Sequence, residues 1–505
     1  MIFSSLVLLF LSITAKERID TLYHKIDPFS ISKQLAFYEL YSQTDTGNRA
    51  LRRALDLINI HRPLSEQIDC HVKIPPFNPS LIVGLSSQLT RKVPVEIRDE
   101  DLKTIQKISS HLSNRKLKGY SIGSLDEVKN LEIDQLDLTR ILLLELVQDP
   151  KQRAYYEATV DLMALEILAH LPKGASLEEK LEKISSYVFH DMEYRFPPQS
   201  IWVEELDSFT LLPTILDSRF GVCLGVSTLY LALAQRLDLP LIPITPPGHI
   251  FLRFEYKENI TNIETTARGI HLPDSHYLSI QTKSFKRRDL KDVVGLNFMN
   301  QGALYWQQND HQKAIQAYDT AIKYMGEDPL LMRFKGLQHL FLGEKEKADE
   351  IFKKIRNVTL DGSTYKDTQI DDLLLGHIDK DGLKMLYNKE ADDRNALENQ
   401  IKKLQAKLKD YPKFRDGLFH LAGTWLALHR TKEAYDVLVT YHQIDPKNPV
   451  VEYYLAALAL ERMQLDEGKI FLKNTQQLLK EQSYYPNAIK DLYMAYKKED
   501  PTFNF

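Results

Sequence analysis

Arg219-Phe-Gly-Val-Cys-Leu-Gly-Val-Ser-Thr-Leu-Tyr-Leu-Ala-Leu-Ala-Gln-Arg-Leu237 opens with two glycines flanking a cysteine and runs on as an apolar segment. Leu229, Leu233 and Leu237 recur at four-residue intervals, the spacing of one helical face, so a loop turns into a helix with Cys223 at or just before its start. The first N–H groups of a helix have no partner inside it and carry partial positive charge. They favour a thiolate over a thiol and supply donors that can hold an oxyanion. Alone, a cysteine in that place is more often a small buried apolar side chain than a nucleophile, so the flanking sequence has to decide.

Downstream, Pro246-Pro-Gly-His249 puts a histidine 26 residues after the cysteine, at the start of the run His249-Ile-Phe-Leu-Arg-Phe-Glu-Tyr256. That run and Ile260-Thr-Asn-Ile-Glu-Thr-Thr266 are rich in aromatic and β-branched residues, and the polar Lys257-Glu-Asn259 separates them. The pair is predicted to form a β-hairpin. A turn over Tyr256 to Asn259 sets Phe251 opposite Glu264 and makes His249 a diagonal neighbour of Glu264 on the same face. Diagonal neighbours lie about 7–8 Å apart, within reach of an imidazole and a glutamate. The acid is then placed to orient the ring while the other ring nitrogen faces the sulfur.

Upstream of about residue 153, helical periodicity dominates, in Ile31 to Tyr41 and Ala50 to Ile60, with Ile74-Pro-Pro-Phe-Asn-Pro79 read as a loop, and the α+β stretch itself opens with helical segments, Tyr155 to His170 and Leu177 to His190. Residues 16–152 carry no chemical signature and read as a helical scaffold packed on the α+β stretch. The run Met1 to Ala15 is apolar and ends in small residues before Lys16-Glu-Arg18, so it is read as a signal peptide, with export to the periplasm or medium expected if the signal is real and a cytoplasmic location otherwise. It is too short for a comfortable membrane span, and no other span is expected. Lys and Arg total 65 against 69 Asp and Glu in 505 residues, a formal charge of -4, which gives no basis for a nucleic-acid partner. Two cysteines, Cys70 and Cys223, do not make a disulfide framework, and a bridge between them would remove the nucleophile.

From about Leu296 a period of 34 residues sets in. It links Gly302 to Gly336, Ala314 to Ala348 and Tyr318 to Phe352, and later Ala422 to Ala456, Ala434 to Gly468 and Leu438 to Leu472. Small residues and fillers at that period resemble the tetratricopeptide repeat, a stack of helical hairpins whose concave face commonly holds a peptide or protein segment. Four repeats are traced, with Asn357 to Tyr411 as a degenerate or inserted helical section.

The cysteine, histidine and acid segments at 221 to 225, 247 to 249 and 262 to 269 resemble those of the bacterial transglutaminase-like superfamily, most closely its SirB-type branch, whose members often carry tetratricopeptide repeats after the core. The resemblance implies an α+β papain/transglutaminase-like core at 153–295, after an N-terminal helical region and before an all-α tetratricopeptide solenoid at 296–505. It implies that Cys223 is the nucleophile, His249 the general base and acid, and Glu264 the orienting carboxylate.

The leading functional expectation is a thiol-dependent acyl-transfer enzyme, a protease, amidase, deamidase or transglutaminase, acting on a peptide or carboxamide, with the repeats binding a protein partner or the substrate. The competing one is a non-catalytic interaction scaffold with a vestigial core. No cofactor or metal is expected: His190, Asp191 and Glu193 lack a second histidine at helical spacing and a cysteine cluster. His271 and His276 read as solvated loop residues, and Arg268 is not taken as a substrate ligand.

Overall fold

The computed structural model describes residues 15–63, 67, 98–128, 130–198, 203–356, 358–387 and 393–504. The apolar run as far as Thr14, Cys70 and the loop from Ile74 to Pro79 lie outside the described residues. Near the N-terminus, α1 (Ile31–Tyr41) and α2 (Asp45–Asn59) form a hairpin. Ile31, Leu35, Leu57 and Ile58 share one apolar cluster with Leu162 and Ile167 of α3 (Pro150–Ala169) and with Leu229 and Leu233 of α4 (Cys223–Arg236). The N-terminal helices are thus a scaffold for the cysteine helix.

Polar contacts fix how that scaffold holds α4. Arg236, at its last turn, donates from Nε to Asp161 of α3 at 2.7 Å, and Arg115 pairs with the other oxygen of the same carboxylate. Gln235 donates to the Leu136 carbonyl at 2.7 Å and accepts from the Leu138 N–H at 3.0 Å. Desolvation offsets much of the attraction in such a buried ion pair, yet removing one partner costs about 3–5 kcal/mol. Their main effect is to fix the position of α4 on α3.

Four strands form an antiparallel sheet in the order β3-β2-β1-β4: β1 (Ile242–Thr245), β2 (Phe251–Tyr256), β3 (Asn259–Ile263) and β4 (Lys286–Arg287). Leu252 pairs with Ile263 and Tyr256 with Asn259, the register expected from sequence. The hairpin turns at Lys257, whose φ is 54°. Two strand limits differ from expectation. His249 precedes β2, where its N–H donates to the Pro246 carbonyl at 3.2 Å in a turn. Glu264 follows β3 as the cap of a short 3-10 turn, Thr265–Ala267, with its N–H on the Ile270 carbonyl at 3.0 Å.

Four helical hairpins follow: α5 (Leu290–Gln307) with α6 (His311–Met325), α7 (Pro329–Phe341) with α8 (Lys345–Ile355), α9 (Arg415–Ala427) with α10 (Thr431–Ile444), and α11 (Pro449–Glu461) with α12 (Leu465–Lys480). A last helix, α13, covers Asn487–Glu499. All twelve positions linked by the 34-residue period are buried. Among the described residues, the section between α8 and α9 carries three helices of its own, Gln369–Leu374, Lys380–Leu386 and Arg394–Asp410, and packs Ile370 and Leu383 against Leu337 and Phe352 of the second hairpin. Helix α5 runs through position 296, and Ala314 and Tyr318 of the first hairpin belong to the same apolar cluster as α4. Core and repeats therefore share packing. Among the described residues no helix is long and apolar enough to cross a membrane.

Candidate active site

Cys223 is the first residue of α4, half-buried, and a free thiol. Two backbone bonds hold the loop before it, from the Val222 N–H to the Phe209 carbonyl at 3.1 Å and from the Gly221 N–H to the Arg195 carbonyl at 3.1 Å. A Cβ on Gly225 would fall 2.3 Å from that same Phe209 carbonyl oxygen. The absence of a side chain there lets the first turn of α4 come this close.

His249 stands between the cysteine and the acid. Its Nε2 lies 2.8 Å from Glu264 Oε2, and Cys223 is close enough to interact with the ring electrostatically. With Nε2 committed to the carboxylate, Nδ1 is the nitrogen left for the sulfur. Burial works against a charged ring, but the neighbouring Cys223 and the Glu264 carboxylate outweigh it and push His249 up to about 9. The proton therefore stays on the imidazole at neutral pH.

Glu264 is 4% exposed and fully ringed by donors. Oε1 accepts from the Thr266 N–H at 3.0 Å and the Thr266 hydroxyl at 2.5 Å, and Oε2 accepts from His249 and from the Tyr277 hydroxyl at 2.9 Å. Burial alone would raise this carboxyl. The bonds from His249 and Thr266 reverse that and hold it down to about 2.

Thr266 and Tyr277 were not singled out from sequence. Thr266 has a local signal, a hydroxyl two residues after the acid, which is the spacing of a side-chain cap. Tyr277 has none, because its contact is closed by a segment returning 13 residues later. Tyr277 ends a four-residue helix that is pinned at its first residue, Asp274, which accepts from Arg253 at 2.5 Å and from Asn262 at 2.7 Å. The Tyr277 ring stacks on Phe251, with centroids 4.0 Å apart and planes 12° apart.

The remaining candidates stand apart from this chain of bonds. His190 is exposed, Asp191 lies 3.6 Å from Lys183, and Glu193 has a φ of 56°. His271 accepts from the Asn262 N–H at 3.0 Å, His276 is exposed, and Arg268 is exposed in the turn after Glu264. Among the described residues no three His, Cys, Asp or Glu side chains are grouped to hold a metal ion.

Residues 154–293 match the family model described as transglutaminase-like superfamily. The UPF0162 protein YchA of Escherichia coli strain K12 is 26% identical over 202 residues, covering 37% of this chain and 72% of that protein. Protein SirB1 of Salmonella typhimurium strain LT2 is 24% identical over 174 residues, 32% of this chain and 63% of that one. Of solved structures, a thermophilic TPR protein of Thermus thermophilus is similar over 40% of this chain and 97% of its own, at 16% identity and a TM-score of 0.20. The family match over the Cys223, His249 and Glu264 segments and the helical hairpins at a 34-residue period give the assignment: the chain carries a transglutaminase-like core, related to the UPF0162 and SirB proteins, followed by tetratricopeptide-like helical repeats.

Proposed function

We propose that this protein is a thiol-dependent acyl-transfer enzyme acting on a peptide or carboxamide. One observation carries the reading: a single imidazole is hydrogen-bonded to a buried, fully bonded Glu264 and also interacts with Cys223 at the start of α4. Cys223 Sγ attacks the substrate carbonyl carbon, and the free N–H groups of the first turn of α4 face the developing oxyanion. The leaving amine departs with the proton held on His249, and a thioester remains. Water or an acceptor amine then gives a proton back to His249 as it attacks, and Cys223 is released. Water makes the enzyme an amidase, deamidase or protease, and an amine makes it a transglutaminase. Glu264 orients the ring and balances its charge in both halves. In the same reading, the repeats bind a protein or peptide that brings the substrate to the core.

The test is the rate of iodoacetamide labelling at Cys223, followed at that peptide by mass spectrometry at pH 7. Labelling at least tenfold faster than glutathione, lost at that peptide in Cys223→Ala and slowed in Glu264→Gln, supports the enzyme. A rate equal to that of a simple thiol leaves the scaffold reading in its place.

A further inference from the structure

The segment after Tyr277 does not end in the core. Ser279 and Thr282 offer their carbonyls to the Tyr484 hydroxyl, at 2.9 and 2.8 Å, from the turn between α12 and α13. Lys283 donates to Gln482 at 2.9 Å in that same turn, and Gln482 donates to the Thr364 carbonyl at 2.8 Å in the section between α8 and α9. Thr364 in turn donates its N–H to Gln281 at 3.0 Å and its hydroxyl to Ile280 at 2.6 Å, while the Lys283 N–H meets the Gly362 carbonyl at 2.7 Å. Ile280 is 6% exposed and lies in the apolar cluster of the last two hairpins. A Cβ on Gly362 would stand 2.3 Å from the Ser284 carbonyl oxygen and 3.4 Å from Pro247, in the loop that carries His249. The repeats therefore grip the core on both sides of the acid–histidine pair.

We infer that Tyr277 is a positioning residue for the thiol chemistry, and that the repeat domain keeps it in place through Ser279 to Ser284. The inference rests on the acyl-transfer reading above. Tyr277 donates to Glu264 Oε2, the oxygen that His249 also uses, and its ring lies nearly parallel to the imidazole, 6.0 Å away at 22°. Only Leu278 stands between Tyr277 and Ser279, whose carbonyl is the first held by Tyr484. The phenol faces Glu264, Asp274, Arg253 and His276, and the imidazole faces Cys223, Glu264 and Tyr277. Burial and the Glu264 charge push the phenol upward, so it remains a proton donor across the working pH range. Sharing Oε2 between two donors limits how strongly Glu264 draws on the His249 proton.

The pH profile of Cys223 alkylation in the full chain tests this, read as the position of its upper inflection rather than as a rate. In Tyr277→Phe the ring stays but Oε2 is left to His249, so the inflection moves upward from that of the native chain, by about half a unit. Tyr484→Phe, which touches nothing in the site, moves it in the same direction by less. A Tyr277→Phe profile that superimposes on the native one, with circular dichroism unchanged, overturns the positioning role. A native Tyr484→Phe profile beside a shifted Tyr277→Phe profile overturns the hold of the repeats. If Tyr277→Phe does not fold, Tyr484→Phe alone decides, a native profile counting against the proposal. An ordinary labelling rate in the native chain counts against the acyl-transfer reading, and because even a slow thiol has an inflection, the two failures are told apart.

Discussion

Glu264 collects four donor bonds from three residues, and only one of those residues, His249, was legible in the sequence. The histidine was reachable because hairpin register is set by pattern and turn, and Leu252 opposite Ile263 leaves Phe251 opposite Glu264. Tyr277 was not reachable, since it ends a four-residue helix, Asp274–Tyr277, too short for periodicity to relate it to the carboxylate it returns to. The charges give a signed prediction. His249 is raised from 6.5 to about 9, so the stability from its charged form is complete below about pH 6.5 and lost as pH rises through 9. Glu264 is lowered from 4.5 to about 2, so its share is present above pH 4.5 and lost as pH falls through 2. Glu264→Gln should therefore destabilise the chain by about 1–3 kcal/mol at pH 6 and by clearly less at pH 10, where the native His249 is already neutral. Urea unfolding midpoints at the two pH values check this, and an equal loss at both would show that the charged pair contributes nothing to folding.

At the scale of elements, the helical hairpins were the most legible part, because their close approach is written as small residues at a fixed period. Gly302 and Gly336 make the point together: a Cβ on either would meet the ring of its partner, Tyr318 or Phe352, at 2.4 Å. The 34-residue period carries the first contact onto the second, joining Gly302 to Gly336 and Tyr318 to Phe352. Strands β1 and β4 were harder to see, being four and two residues long, too short for alternation to register. Gly336→Ala is expected to cost about 1–3 kcal/mol, as overpacking of a closed seam does, with no change in Cys223 labelling per folded molecule. Gly225→Ala should cost a similar amount and also slow the labelling, because its Cβ would meet backbone at Phe209 and the first turn of α4 must shift. Thermal unfolding and alkylation measured side by side separate a seam in the repeats from a seam under the nucleophile.

For the whole molecule, core and repeats do not behave as beads joined by a linker. The first hairpin shares its apolar cluster with the cysteine helix, and Ser279 to Ser284 is clamped between the section after α8 and the turn before α13. None of this was legible, since contacts between residues about 200 positions apart leave no mark on periodicity or on motif spacing. The segment has neither helix nor strand, yet the Lys283 N–H is bonded to Gly362 and that of Thr364 to Gln281. In hydrogen exchange these two amides should be protected like those of the neighbouring helices, although exposed loops exchange almost freely. Ile280→Ala removes a side chain that is 6% exposed and should destabilise the chain by about 2–4 kcal/mol. Its exchange pattern decides whether the clamp is one unit. If the clamp opens cooperatively, exchange rises together in 279–284, in 360–365 and around Tyr484, while α1 and α2 keep their protection. Faster exchange confined to 279–284 would mean that the repeats merely lie beside the core, and that a partner bound to them has no mechanical route to Tyr277.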